Sequence, residues 1–207
     1  GAQASMELDF SEIDAANEGA AILGYEDLVD RMVKAKYPTQ ALPIETFFGD
    51  HMKLSQFFNG EGVVLYHAPA ASTDSDSLVL FRGSDVISTG AVFTPGHYPE
   101  IDLARGGSVN GLIAALTNIL SLAVPEGFAS GGTLIVPGRG RICEETDVAE
   151  FRDMVVIIRD RVQDQLKKGM SWEQIKASRP SRDYDAEYGA TPADADRFVE
   201  SIYRSLI

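Results

Sequence analysis

Cysteine, histidine and positive charge are all scarce in this chain of 207 residues. A single cysteine, Cys143, excludes an intramolecular disulfide and leaves the redox compartment unread. His51, His67 and His97 are the only histidines, and their scatter matches no zinc-ligand spacing. Eighteen Lys plus Arg against thirty-one Asp plus Glu give a net charge of -13. With no basic cluster, that charge repels phosphate backbones and anionic lipid, which argues against a nucleic-acid partner. No apolar run approaches the roughly 18 residues that span a bilayer, so membrane insertion is not expected. The chain lacks G-x-x-x-x-G-K-[ST] and G-x-G-x-x-G, so phosphate cradles have no support. The stretch GGSVNG (106–111) falls short of a nucleophile elbow, because Asn110 stands where the second glycine belongs; Ser108 reads instead as a helix N-cap. The opening GAQAS has the A-x-A spacing of a signal-peptidase site without an apolar segment before it, which leaves cytoplasmic and exported or periplasmic locations both open.

What is present is a 44% hydrophobic composition, enough to bury a substantial core in one domain. Periodicity predicts a strand over 20–24 and a helix over 25–36, with Leu28, Met32 and Val33 on one face. Strands follow at 54–58, 63–68, 78–81 and 86–89, with NGEG (59–62) and RGSD (82–85) as turns. Ser108 opens a helix carrying Val109, Leu112, Ile113, Leu116 and Leu120, and GGTLIV returns to a strand. A long helix is predicted from about Asp147, with Asp147 and Glu150 as a capping box and Gly169 at its end. Ser171 with Gln174 caps a short helix, and Thr191 with Pro192 starts the last one. The segment SRPSRDYDAEYGA (178–190) reads as loose. The fold class is α/β (α+β), a single layered domain over 1–207 with a helical extension from about 147.

Three loops are candidates for chemistry. ASTDSDS (71–77) presents Asp74 and Asp76 either to a metal or, as an Asx/ST turn, to its own backbone. The turn-rich stretch 88–102 contains His97, Tyr98 and Asp102. In TLIVPGRGRI (133–142), Gly138 and Gly140 flank Arg139 and present its side chain at a strand end.

The succession NGEGVVLYHAPAASTDSDSLVLFRGSDVISTGAVF, YPEIDLARGGSVNGLIAAL, TLIVPGRG and DMVVIIRDRV resembles the metallo-β-lactamase-fold hydrolases over nearly the whole chain. The resemblance implies an αββα sandwich, here incomplete at the N-terminus, and a pocket once built for one or two zinc ions. The family's H-T-D loop reads Ser72, Thr73, Asp74; its T-G-D reads Thr89, Gly90, Ala91; its P-G-H-G reads Pro137, Gly138, Arg139, Gly140. Upstream, Ser5, Glu7, Asp9 and Phe10 stand at the places of HxHxDH. Few residues precede them, so the first strands are expected to be missing or reduced.

A catalytic zinc site needs about three neutral imidazole, thiolate or carboxylate donors and an open position. Arg139 has no lone pair to give and repels a dication. The expectation is therefore a non-catalytic binding or assembly protein with no cofactor, in which Arg139 pairs with Asp9, Asp74 or Asp76, or else receives a carboxylate or phosphate ligand. Missing strands would leave an unpaired sheet edge or an apolar face, which a second copy of the chain would cover as a homodimer. The alternative is a hydrolase of esters, lactams or thioesters, with a zinc site rebuilt from Asp76, His67 or His97, or with metal-free acid/base chemistry.

Overall fold

Short apolar, β-branched runs in the middle of the chain make a five-stranded sheet, ordered β1-β2-β3-β4-β5. Its strands are β1 (His51–Lys53), β2 (Val63–His67), β3 (Ser77–Phe81), β4 (Val86–Gly90) and β5 (Leu134–Pro137). The structure is a computed structural model, and it describes residues 47, 49–54, 60–125, 131–189 and 191–207. The strand expected at 20–24 and the helix at 25–36 lie outside them. Residues Gly49–Ile207 form one compact unit.

The first three pairings are antiparallel and the last, β4 with β5, is parallel. The partner of β2 is His51–Lys53 rather than the expected 54–58; Leu54 already follows β1, and its N–H donates to the Val63 carbonyl at 3.0 Å. Residues 55–59 lie outside the described ones. At the RGSD turn, the Glu61 carboxylate accepts from Gly83 N (3.0 Å), Ser84 N (2.9 Å) and Ser84 Oγ (2.8 Å), which holds the β3–β4 hairpin to the start of β2.

The register puts Val64 opposite Leu80, Tyr66 opposite Leu78, Leu80 opposite Ile87, and Ile87 opposite Ile135. Those side chains share one face, and that face is the core. It is covered by α1 (Val109–Leu122), which carries the crossover from β4 to β5, together with α2 (Glu145–Lys167) and α5 (Pro192–Leu206). Helix α1 packs on α2, and both pack on α5. Leu112, Leu116, Phe151, Met154, Ile158 and Ile202 are almost fully buried there. At about 1.5–3 kcal/mol for each large apolar side chain buried, the residues from 147 onward are integral to this core. On the opposite face Val79, Phe81, Val86 and Val136 are half-buried, and Leu134 is 41% exposed.

Two expectations need correction. Helix α2 begins at Glu145, because Asp147 closes its box backward: Asp147 Oδ2 accepts the Glu144 N–H at 2.9 Å, so the pair is 144/147 and not 147/150. The described part of the segment 178–190, residues 178–189, is not loose. It contains α3's end (Trp172–Ser178) and α4 (Asp185–Tyr188), and Ser181 and Tyr188 are buried. The buried Tyr98 hydroxyl donates to Asp185 Oδ1 at 2.9 Å and to the Ser181 carbonyl at 3.3 Å, while Arg161 reaches the Pro180 carbonyl at 2.7 Å and Asp183 at 2.8 Å. Tyrosine contacts with distant loops leave no periodicity in a local window. The caps read at Ser171/Gln174 and at Thr191 with Pro192 are present, the latter with Asp194 accepting the Thr191 N–H at 2.7 Å.

Candidate functional site

Parallel strands β4 and β5 end side by side, so the loops that leave them meet. Gly138 N donates to the Gly90 carbonyl at 2.9 Å. A Cβ on residue 138 would lie 3.0 Å from that same oxygen, so any larger residue there would require β4 or the Pro137–Gly140 turn to shift by a few tenths of an ångström. Beyond Gly90, the Ala91 carbonyl accepts from Ser72 Oγ at 3.2 Å, and Ser72 is buried. Positions 72 and 91 therefore touch, and Ala91 and Arg139 line the same groove.

The 70–74 loop is held in place by the stretch around Gly106 to Ser108. Asp102 N donates to the Ser72 carbonyl (2.8 Å), Asp74 N to the Arg105 carbonyl (2.9 Å), and Ser108 N to the Ala70 carbonyl (2.9 Å). The Asp74 and Asp76 side chains bend back onto this loop. Asp74 Oδ1 accepts from Ala70 N at 3.2 Å, and Asp76 Oδ2 accepts from Thr73 N at 2.6 Å. His67 Nε2 bonds the Asp74 carbonyl at 2.7 Å. Of the two readings of this loop, the backbone-bonding turn describes it, and neither carboxylate nor His67 lines the groove.

Arg139 is exposed and makes no ion pair among the described residues. The expected partners Asp74 and Asp76 are corrected on this point, because both are engaged by backbone N–H groups. Asp9, with Ser5, Glu7 and Phe10, lies outside the described residues.

The groove holds about 1070 Å³. Ala91, His97, Ile101, Leu103, Arg139 and Phe198 are among its walls, and α5 adds Asp194, Arg197, Glu200 and Arg204 along one helical stripe. Most of these charges are already matched. Asp102 caps the 3₁₀ turn Leu103–Arg105, accepting from Ala104 N (3.0 Å), Arg105 N (3.1 Å) and Arg105 Nε (2.8 Å); the Arg105 guanidinium holds its carboxyl below the usual range. Arg197 pairs with Asp194, whose carboxyl is lowered first by its hydrogen bond from Thr191. Arg204 stands 3.7 Å from Glu200. Among the described residues, Arg139 is left with no matching charge. The α5 arginines were missed in the sequence, although the 194, 197, 201, 204 spacing marks one helix face.

Among the described residues, positions 72, 91 and 139 offer a zinc ion no fitting donor set. Ser72 has committed its hydroxyl to Ala91, Ala91 offers no side-chain donor, and Arg139 is cationic. Among the described residues, no three His, Cys, Asp or Glu side chains gather as a metal site. Nor is any helix there long and apolar enough to cross a membrane.

No protein-family profile matches the chain, and no curated protein does. Solved structures do. A double mutant of the sec-alkyl sulfatase PisA1 superposes with TM-score 0.56 at 15% identity, over 80% of this chain and 27% of that one. The stereoselective inverting sec-alkylsulfatase Pisa1 from Pseudomonas sp. gives 0.53 at 14%, over 76% and 26%. Metallo-β-lactamases also match, DIM-1 with TM-score 0.44 at 13% identity over 62% of this chain and 54% of that one. The chain has a metallo-β-lactamase-like fold. The chain spans about a quarter of the length of the sulfatases, and identities this low speak for the fold alone. Within the metallo-β-lactamase-like fold, the strand-end loops carrying Ser72, Ala91 and Arg139 converge beside the groove.

Proposed function

We propose that this chain is a non-catalytic, ligand-binding member of the metallo-β-lactamase-like fold, with the groove at the ends of β4 and β5 as its receptor for a carboxylate- or phosphate-bearing molecule. The observation that carries this reading is Arg139, an exposed guanidinium with no ion-pair partner among the described residues, standing on a glycine-flanked turn at the groove wall. A guanidinium offers five donors in a fork that fits a carboxylate or phosphate bidentately. Its presence where the family's sequence pattern has a zinc-binding histidine supports loss of the metal site. Calorimetric titration with acetate and inorganic phosphate tests the reading: binding that disappears in Arg139→Gln, in protein carrying less than a tenth of a zinc per chain, is expected. Stoichiometric zinc, or turnover of ester, lactam or thioester panels, would favour the hydrolase instead.

Assembly as a homodimer is the second part of the proposal. The apolar outer face of the sheet, with Leu134 41% exposed, supports it, because contiguous apolar surface favours a protein cover. Sedimentation equilibrium reporting twice the chain's 22.4 kDa is the expected outcome, and a monomer at micromolar concentration would remove this part.

A further inference from the structure

We infer that the ligand of the groove is an amphiphilic organic anion with one compact acidic head at Arg139 and an apolar body lying along Ile101, Leu103 and Phe198. The inference rests on the proposed reading of the groove as a binding site and adds the chemical class of the occupant.

Three observations define that class. A volume of about 1070 Å³ is far more than a bare inorganic anion fills, and it reaches the upper end of the range for drug-sized ligands. The charges in the groove favour one head rather than several. Glu100, Asp102, Asp194 and Glu200 stand against Arg139, Arg197 and Arg204, and the helix arginines have their own carboxylates. A polyphosphate or nucleotide would bring several charges to a groove whose other arginines are already ion-paired and where Glu100 adds a negative charge, whereas a monoanion needs only Arg139, which has no ion pair among the described residues. Finally, apolar side chains stand among those charges, with Leu103 half-buried and Ile101 and Phe198 buried along the lining. An apolar chain laid there leaves water while its head keeps a charge-assisted hydrogen bond.

Carboxylate and phosphate monoester heads share the bidentate geometry at a guanidinium, so the test carries both. The intact chain is titrated calorimetrically with butanoate, hexanoate and octanoate, with octyl phosphate, with acetate and inorganic phosphate, and with octan-1-ol, all below micelle-forming concentration. The expected result is a chain-length series in which each added methylene tightens binding about three- to four-fold. Arg139→Gln should weaken octanoate or octyl phosphate about 10- to 100-fold while leaving the melting temperature unchanged, because the side chain is exposed. Whichever head binds more tightly identifies the source. A flat series, with acetate or phosphate bound as tightly as the octyl compounds and still dependent on Arg139, overturns the amphiphile and leaves the anion receptor standing. Octanol bound as tightly as octanoate, or no compound responding to Arg139→Gln, overturns both.

Discussion

Alanine at position 111 sets helix propensity against steric fit, and the two disagree in sign. Gly111 lies in the first turn of α1, where its N–H donates to the capping Ser108 Oγ at 2.9 Å. Its backbone is not in the left-handed region, so propensity alone favours Gly111→Ala by up to about 1 kcal/mol. The added Cβ, however, would lie 1.9 Å from the Ala70 carbonyl oxygen and 2.4 Å from its carbon, backbone atoms that cannot rotate aside. Ala70 O also accepts from Ser108 N (2.9 Å) and Ser108 Oγ (3.2 Å), so displacing it weakens two hydrogen bonds at about 1 kcal/mol each. Overpacking adds about 1–3 kcal/mol. Set against the propensity gain, the net is a loss of about 2–4 kcal/mol, which corresponds to roughly 5–15 °C in Tm for a chain of this size. Urea unfolding should show a lower midpoint with an unchanged slope. A variant as stable as the parent, or more stable, would refute the close approach of the 70–74 loop to α1, and with it the placement of Ser72 against Ala91.

Further variants probe single features. Thr89 Oγ1 is buried without a hydrogen-bond partner among the described residues, so the isosteric Thr89→Val should raise stability by about 1–2 kcal/mol in urea titration. Arg179 ends α3 at φ 50, where Arg179→Gly should add about 0.5–1 kcal/mol despite the loss of an exposed pair with Asp185, read as a higher melting temperature. Asp147 is held below the ordinary carboxylate range, chiefly by its hydrogen bond from Arg141. Its contribution is therefore full above the unfolded pKa and lost as pH falls through the lower folded value. Asp147→Ala should cost about 1 kcal/mol at pH 7, with the gap to wild type closing below about pH 4 in urea midpoints taken across pH. Tyr98, pushed up by burial and by Asp185, stays neutral through the ordinary range, and Tyr98→Phe should cost about 1–1.5 kcal/mol in the same assay.

The elements built on local rules were legible in the chain itself. Short apolar, β-branched runs bounded by turn signals mark 63–68, 78–81 and 86–89, and the polar caps at Ser108, Ser171 and Thr191 mark helix starts, because a cap bonds its own backbone within a few residues. The order of the loops pointed to the metallo-β-lactamase-like fold, and the residues at three ligand positions were plain by identity alone. Where a side chain goes when two partners compete was not legible. Asp74 and Asp76 had a guanidinium and a backbone turn available, and the turn won because it is three to four residues away and already formed. Asp147 likewise caps three residues before itself instead of opening a box three residues ahead.

The sequence by itself determined the strand and helix alternation, the acidic charge and the arginine between glycines at a strand end. Only the tertiary structure decided that Ser72 bonds Ala91, that Tyr98 pins the segment 178–189, and that Arg139 stands without an ion pair among the described residues beside four α5 charges near 200 in the chain. The reason is physical: caps and alternation are set by contacts a few residues apart, whereas a groove is made by loops and a helix that meet only when the core closes.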